Sequence, residues 1–202
     1  MKSETREQVL VALFAAIILI MAFTPMIGYI PLGFTRATII HVPVIIASIM
    51  LGPKKGAFLG FLFGLTSLIN NTLNPTVTSF VFTPFFILGN TEPSWLSLIV
   101  CFVPRILVGV IPYYVRKLTR KLPDIISYPF AGLLGSLTNT VLVMNLIYLL
   151  FKESYAAAQG KAVEVLYAAI GSVIVVNGVP EAIVAAVLTF AICKALAKVV
   201  KN

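Results

Sequence analysis

A few polar side chains sit inside long apolar runs of this chain, and their types define the chemistry it can do. They are Arg105, Asn139, Asn145, Asn177, Glu181, the single histidine His41, and a cluster formed by Asn70, Asn71 and Asn74. A guanidinium presents a planar fork of donors that matches a carboxylate, and side-chain amides can satisfy the remaining donors and acceptors of a small polar molecule. The set therefore suits non-covalent capture of an anionic ligand. The same residues have a plainer reading, in which Arg105 pairs with Glu181 and the amides hold helices together. His41, in the segment I-I-H-V-P, has no second metal ligand near it in sequence, and either a hydrogen-bonding role or ligand contact suits it.

Covalent and metal-dependent chemistry lack the necessary residues. With one aspartate, Asp124, and one histidine, the chain cannot assemble paired aspartates, an H-E-x-x-H zinc site or clustered carboxylates for magnesium. No G-x-x-x-x-G-K-[ST] phosphate loop is present, and the G-P-K-K-G turn at 52–56 is too short and proline-broken to imitate one. The chain is therefore read as a non-enzyme with no cofactor and no metal. Cys101 and Cys193 both lie in apolar runs and read as buried thiols.

The elements that position these groups follow from composition. Of 202 residues, 59% are hydrophobic and 11% charged, with a mean hydropathy of +1.03. Soluble domains carry about 25% charged residues, so the bilayer is the solvent here. A span consumes about 20 residues, and the runs read as six transmembrane helices in a single membrane domain 1–202. Their bounds are 9–24, 37–51, 57–71, 95–115, 125–151 and 165–196, with a long extracellular loop at 72–94. The first run follows Glu4 and Glu7 and precedes no A-x-A site, so it reads as a span rather than a signal peptide.

The net charge of +8 is mostly topological. Eleven of the 15 Lys and Arg residues fall on the side of the termini, three (Arg36, Lys152 and Lys161) fall on the other, and Arg105 lies within a span. That asymmetry puts both termini in the cytoplasm and removes the case for a nucleic-acid partner. Arg105 then lies about ten residues, or roughly 15 Å, from the cytoplasmic end of its span. An uncompensated arginine there costs at least about 3 kcal/mol, so it requires a partner or a cavity. Most of the other polar groups fall between mid-membrane and the outside, the pattern of a pocket that opens outward. Pro180, in N-G-V-P-E at 177–181, frees a backbone carbonyl where a helix can line such a cavity. Gly56, Gly60 and Gly64 share one helix face, as do Ala12 and Ala16, and small residues at this spacing allow close backbone approach.

The run from Thr38 through the G-P-K-K-G turn to Gly60, Gly64 and Asn70 resembles the substrate-binding S components of energy-coupling factor (ECF) vitamin transporters. That resemblance spans the whole chain and implies an all-α integral membrane bundle of six helices. It implies capture of a water-soluble vitamin from outside, and delivery through a complex with a transmembrane coupling subunit and two ATPase subunits. Ala12 and Ala16 match the family's A-x-x-x-A docking motif for the coupling subunit. The 70–85 segment and the N-G-x-P-E stretch look most like the pantothenate branch, whose ligand has one carboxylate, an amide and two hydroxyls. Riboflavin, folate, biotin and thiamine are the alternative ligands. A stand-alone secondary carrier, or a purely structural membrane protein, are the alternatives outside the family. The expected location is the prokaryotic plasma membrane.

Overall fold

A computed structural model describes residues 3–24, 27–32, 35–87 and 93–200. Lys2, Lys201 and part of the expected 72–94 loop lie outside the described residues. The order is α1 (Ser3–Phe23), β1 (Tyr29–Leu32), β2 (Thr35–Thr38), α2 (His41–Leu51), α3 (Pro53–Leu73), a 3-10 turn (Ser79–Val81), α4 (Leu96–Val108), α5 (Ile111–Leu118), α6 (Asp124–Ala158), α7 (Val163–Val173), a π-helical turn (Ile174–Gly178) and α8 (Val179–Val200).

Among the described residues, five helical stretches are long and apolar enough to cross a membrane: Glu4–Phe23, Pro53–Leu73, Leu96–Leu118, Asp124–Ala158 and Val163–Ala197. Helix α2 is shorter, at 11 residues, which gives about 16 Å at 1.5 Å per residue against a hydrocarbon core of about 30 Å. The all-helical bundle carries one short local addition. Between α1 and α2, where a loop and the start of the second span are expected, an antiparallel hairpin forms, with Tyr29 opposite Thr38 and Leu32 opposite Thr35. The helix proper starts only at His41, where Pro43 is tolerated in a first turn whose amide needs no intrahelical partner.

From His41 to Ser48 every residue of α2 is buried, so this short helix is the centre of the bundle. Its Val44, Ile45 and Ile46 join Phe14 and Ile18 of α1, Leu59 and Phe63 of α3, and Ala185 of α8 in one core. The helix stops at Gly52, whose φ of 91° belongs to the region that disfavours a Cβ, and Pro53 opens α3 immediately. A second core joins Phe80 and Val81 of the 3-10 turn to Val100 of α4, Val143, Ile147 and Phe151 of α6, and Leu166 and Ile170 of α7.

The glycine face of α3 is used within the chain. Gly56 meets the backbone of Gly109, Gly60 meets the carbonyl of Arg105, and Gly64 lies against the Phe102 ring. A side chain at Gly56 or Gly60 would run into backbone and force the two segments apart, so these two glycines set how closely the Arg105 turn approaches α3, whereas at Gly64 the Phe102 ring would have to shift.

Candidate functional site

Helices α3, α4, α6 and α8 enclose a cavity of about 100 Å³, with room for several water molecules or part of a small polar ligand. Five of the residues anticipated from sequence line it: Asn71, Arg105, Asn139, Asn177 and Glu181. Four are placed elsewhere. Asn74 donates to Asn70 at the exposed C-terminal end of α3. Asn145 returns its amide to the Val141 carbonyl of its own helix. His41 is 1% exposed, enclosed at the start of α2, and is not among the lining residues.

Arg105 is 5% exposed. One terminal nitrogen donates to the Val100 carbonyl at 2.7 Å, and the guanidinium carbon lies 5.1 Å from the Phe82 ring centroid and 5.7 Å from that of Phe63. Aromatic faces and one carbonyl attract the cation without neutralising it. No carboxylate of the described residues forms an ion pair with it; the pairs present are Lys55 with Glu7 and Arg116 with Asp124. Its Nε has no hydrogen-bond partner, and neither does the buried Oδ1 of Asn139. Leaving buried polar atoms unmatched costs about 1–3 kcal/mol each. The cavity is therefore lined by a buried cation with one unpartnered donor and by an amide with one unpartnered acceptor.

Glu181 lines the same cavity but is engaged differently. Its Oε1 accepts the backbone N–H of Thr38, at the end of the hairpin, at 2.9 Å, and the Thr140 hydroxyl of α6 also faces it. The internal Arg105–Glu181 ion pair considered from sequence is absent. Asn177 lies within the π-helical turn just ahead of Pro180. The wider turn accommodates a proline that cannot donate to the helix ladder, and it brings Asn177 and Glu181 to the same cavity.

The loop after α3 is stitched down by a short relay. Asn71 Oδ1 accepts from the Ser79 hydroxyl at 2.8 Å, Ser79 accepts the Thr76 N–H at 2.8 Å, and Thr72 and Thr83 hydroxyls meet at 2.7 Å. These bonds hold Thr76, Thr78 and Phe82 over the cavity. Thr38, Ser67, Thr140 and Tyr155 also line it without having been singled out from sequence. Only the loop threonines had a signal, since the polar 72–94 stretch is long for a plain connection. Tyr155 lies beyond a break in α6 at Phe151 (φ −136°, ψ 18°), past the point where the apolar run ends.

The fold and the site define a class: a helical membrane protein with a small polar cavity enclosed by apolar helices. More particularly, the chain belongs to the ECF transporter, substrate-specific component family, whose model matches residues 6–193. It is a multi-pass plasma-membrane protein of that transporter family. It is 36% identical over 203 residues to the pantothenic acid transporter PanT of Lactococcus lactis subsp. cremoris, covering 100% of this chain and 98% of that protein. It is also 37% identical over 115 residues to the pantothenate transporter PanT of Leuconostoc mesenteroides subsp. mesenteroides, covering 54% and 50%.

Proposed function

We propose that this chain captures pantothenate from outside the cell in the cavity around Arg105 and releases it inward through a complex with a transmembrane coupling subunit and two ATPase subunits. The observation that carries the reading is the buried Arg105, which has no carboxylate partner among the described residues, an unpartnered Nε, and a place in the cavity lining. A ligand carboxylate supplies the charge that the protein withholds, and Asn139, Asn177, Thr38 and Thr140 provide for an amide and hydroxyls. The names of the two relatives support pantothenate over the other vitamins.

In this reading the hairpin and α2 together complete a sixth crossing, and both termini are cytoplasmic by the distribution of Lys and Arg. Ala12 and Ala16 lie on the exposed side of α1, beside Val9, Leu13 and Ile20, which are each more than half exposed. That small-residue face is the docking surface for the coupling subunit. ATP is hydrolysed in the partner subunits.

Calorimetric titration of the purified chain in nanodiscs tests the capture step. Saturable one-to-one binding of pantothenate is expected, and no binding of it would refute the reading. Pantothenate uptake by vesicles holding this chain alone would instead establish a self-sufficient carrier.

A further inference from the structure

We propose that Glu181 is a specificity-determining residue that receives the hydroxyl end of the ligand and excludes molecules carrying a second anion there. The proposal rests on the reading of the cavity as a pantothenate site. Helix α6 packs on both α4 and α8, so Arg105 and Glu181 reach the cavity from its two flanks. They form no ion pair with one another, and each faces the space between them. One flank is cationic, with the Arg105 Nε–H available as a donor. The other is an acceptor flank, where Glu181 is held by the Thr38 N–H and stands beside Asn177, Thr140 and the unpartnered Thr38 hydroxyl.

A ligand with a carboxylate at one end and a hydroxyl at the other matches this polarity in one orientation only. Pantothenate has that layout, since its terminal hydroxyl is remote from its carboxylate. With the carboxylate at Arg105, the hydroxyl end falls toward Glu181, where a hydroxyl can donate. Phosphorylation of that hydroxyl removes the donor and places an anion against a carboxylate. Two full unit charges about 6 Å apart at an effective dielectric of about 20 repel enough to weaken binding by at most roughly 100-fold. The site thus takes the free vitamin and refuses its phosphate ester.

The test is calorimetric titration of pantothenate and of its terminal phosphate ester against the wild-type chain and Glu181→Gln in nanodiscs. The glutamine keeps an oxygen for the Thr38 N–H and removes the charge. The wild type should bind pantothenate about tenfold to 100-fold more tightly than the ester, and Glu181→Gln should narrow that ratio by about tenfold or more. An unchanged ratio would overturn the proposal and assign the discrimination to size. If the wild type bound no pantothenate, the proposed function itself would fail, an outcome distinct from an unchanged ratio. If Glu181→Gln fails to fold, the wild type titrated with a neutral terminal ester of similar size reads the same flank. The neutral ester should bind more tightly than the phosphate ester, and equal losses for the two esters would refute the proposal.

Discussion

Replacing Gly60 by alanine adds one methyl group more than a helical turn from any charged group of α3, yet it should damage anion binding. A Cβ built at Gly60 runs into the Arg105 carbonyl oxygen and comes within 3.0 Å of the Arg105 carbonyl carbon and of Ile106 Cα. All three atoms are backbone, so no rotamer change relieves the contact and α4 itself must retreat at the turn that carries Arg105. Overpacking of this kind costs about 1–3 kcal/mol of stability. It also shifts the guanidinium away from the Phe63 ring and the cavity, and misaligning one hydrogen bond to a charged group forfeits about 1.5–3 kcal/mol of affinity, or roughly 10- to 100-fold. Calorimetry of Gly60→Ala in nanodiscs, paired with its thermal unfolding, measures both effects. Gly171→Ala is the control, because nothing lies within 4 Å of a Cβ there, and it should behave as wild type. A folded Gly60→Ala that binds pantothenate with wild-type affinity would refute the claim that the α3–α4 approach positions Arg105.

Ala12→Trp should leave pantothenate binding by the isolated chain intact and abolish uptake by the assembled transporter; normal uptake would remove α1 from the docking surface. Asn71→Leu breaks the relay to Ser79 and should weaken binding roughly tenfold by loosening Thr76, Thr78 and Phe82 over the cavity, visible as faster proteolysis of the 74–87 loop in the absence of ligand. Gly52→Ala forces a Cβ into a backbone of φ 91° and ψ 169° and should cost about 1–3 kcal/mol, seen as a lower unfolding temperature with unchanged affinity.

The parts legible in the sequence are those where a polar residue interrupts an apolar run. Arg105, Asn139, Asn177 and Glu181 stand out because burial in hydrocarbon makes each one expensive, and all four reach the cavity. The glycine spacing of α3 was equally readable, since close approach leaves little choice of residue. Threonine and serine carried no comparable signal. Thr66, Thr72 and Thr138 return their hydroxyls to carbonyls of their own helix, so a hydroxyl in a span is compatible with either fate, and Ser67 and Thr140 could not be told from these. The hairpin was hidden because Pro31 and Gly33 mark a turn without specifying whether the flanking residues pair. The π-helical turn was foreshadowed by Pro180, but a proline signals only that a helix must adjust and not how.

In the proposed function, Arg105 binds the ligand's carboxylate. The direct measurement compares pantothenate with its alcohol analogue, in which the carboxylate is replaced by a hydroxymethyl group, on the wild type and on Arg105→Ala, with folding verified by size exclusion and circular dichroism. The wild type should prefer pantothenate by roughly 10-fold or more, and Arg105→Ala should bind both compounds weakly and alike. A preference for pantothenate that survives in a folded Arg105→Ala would contradict the assignment and place the anion elsewhere in the bundle.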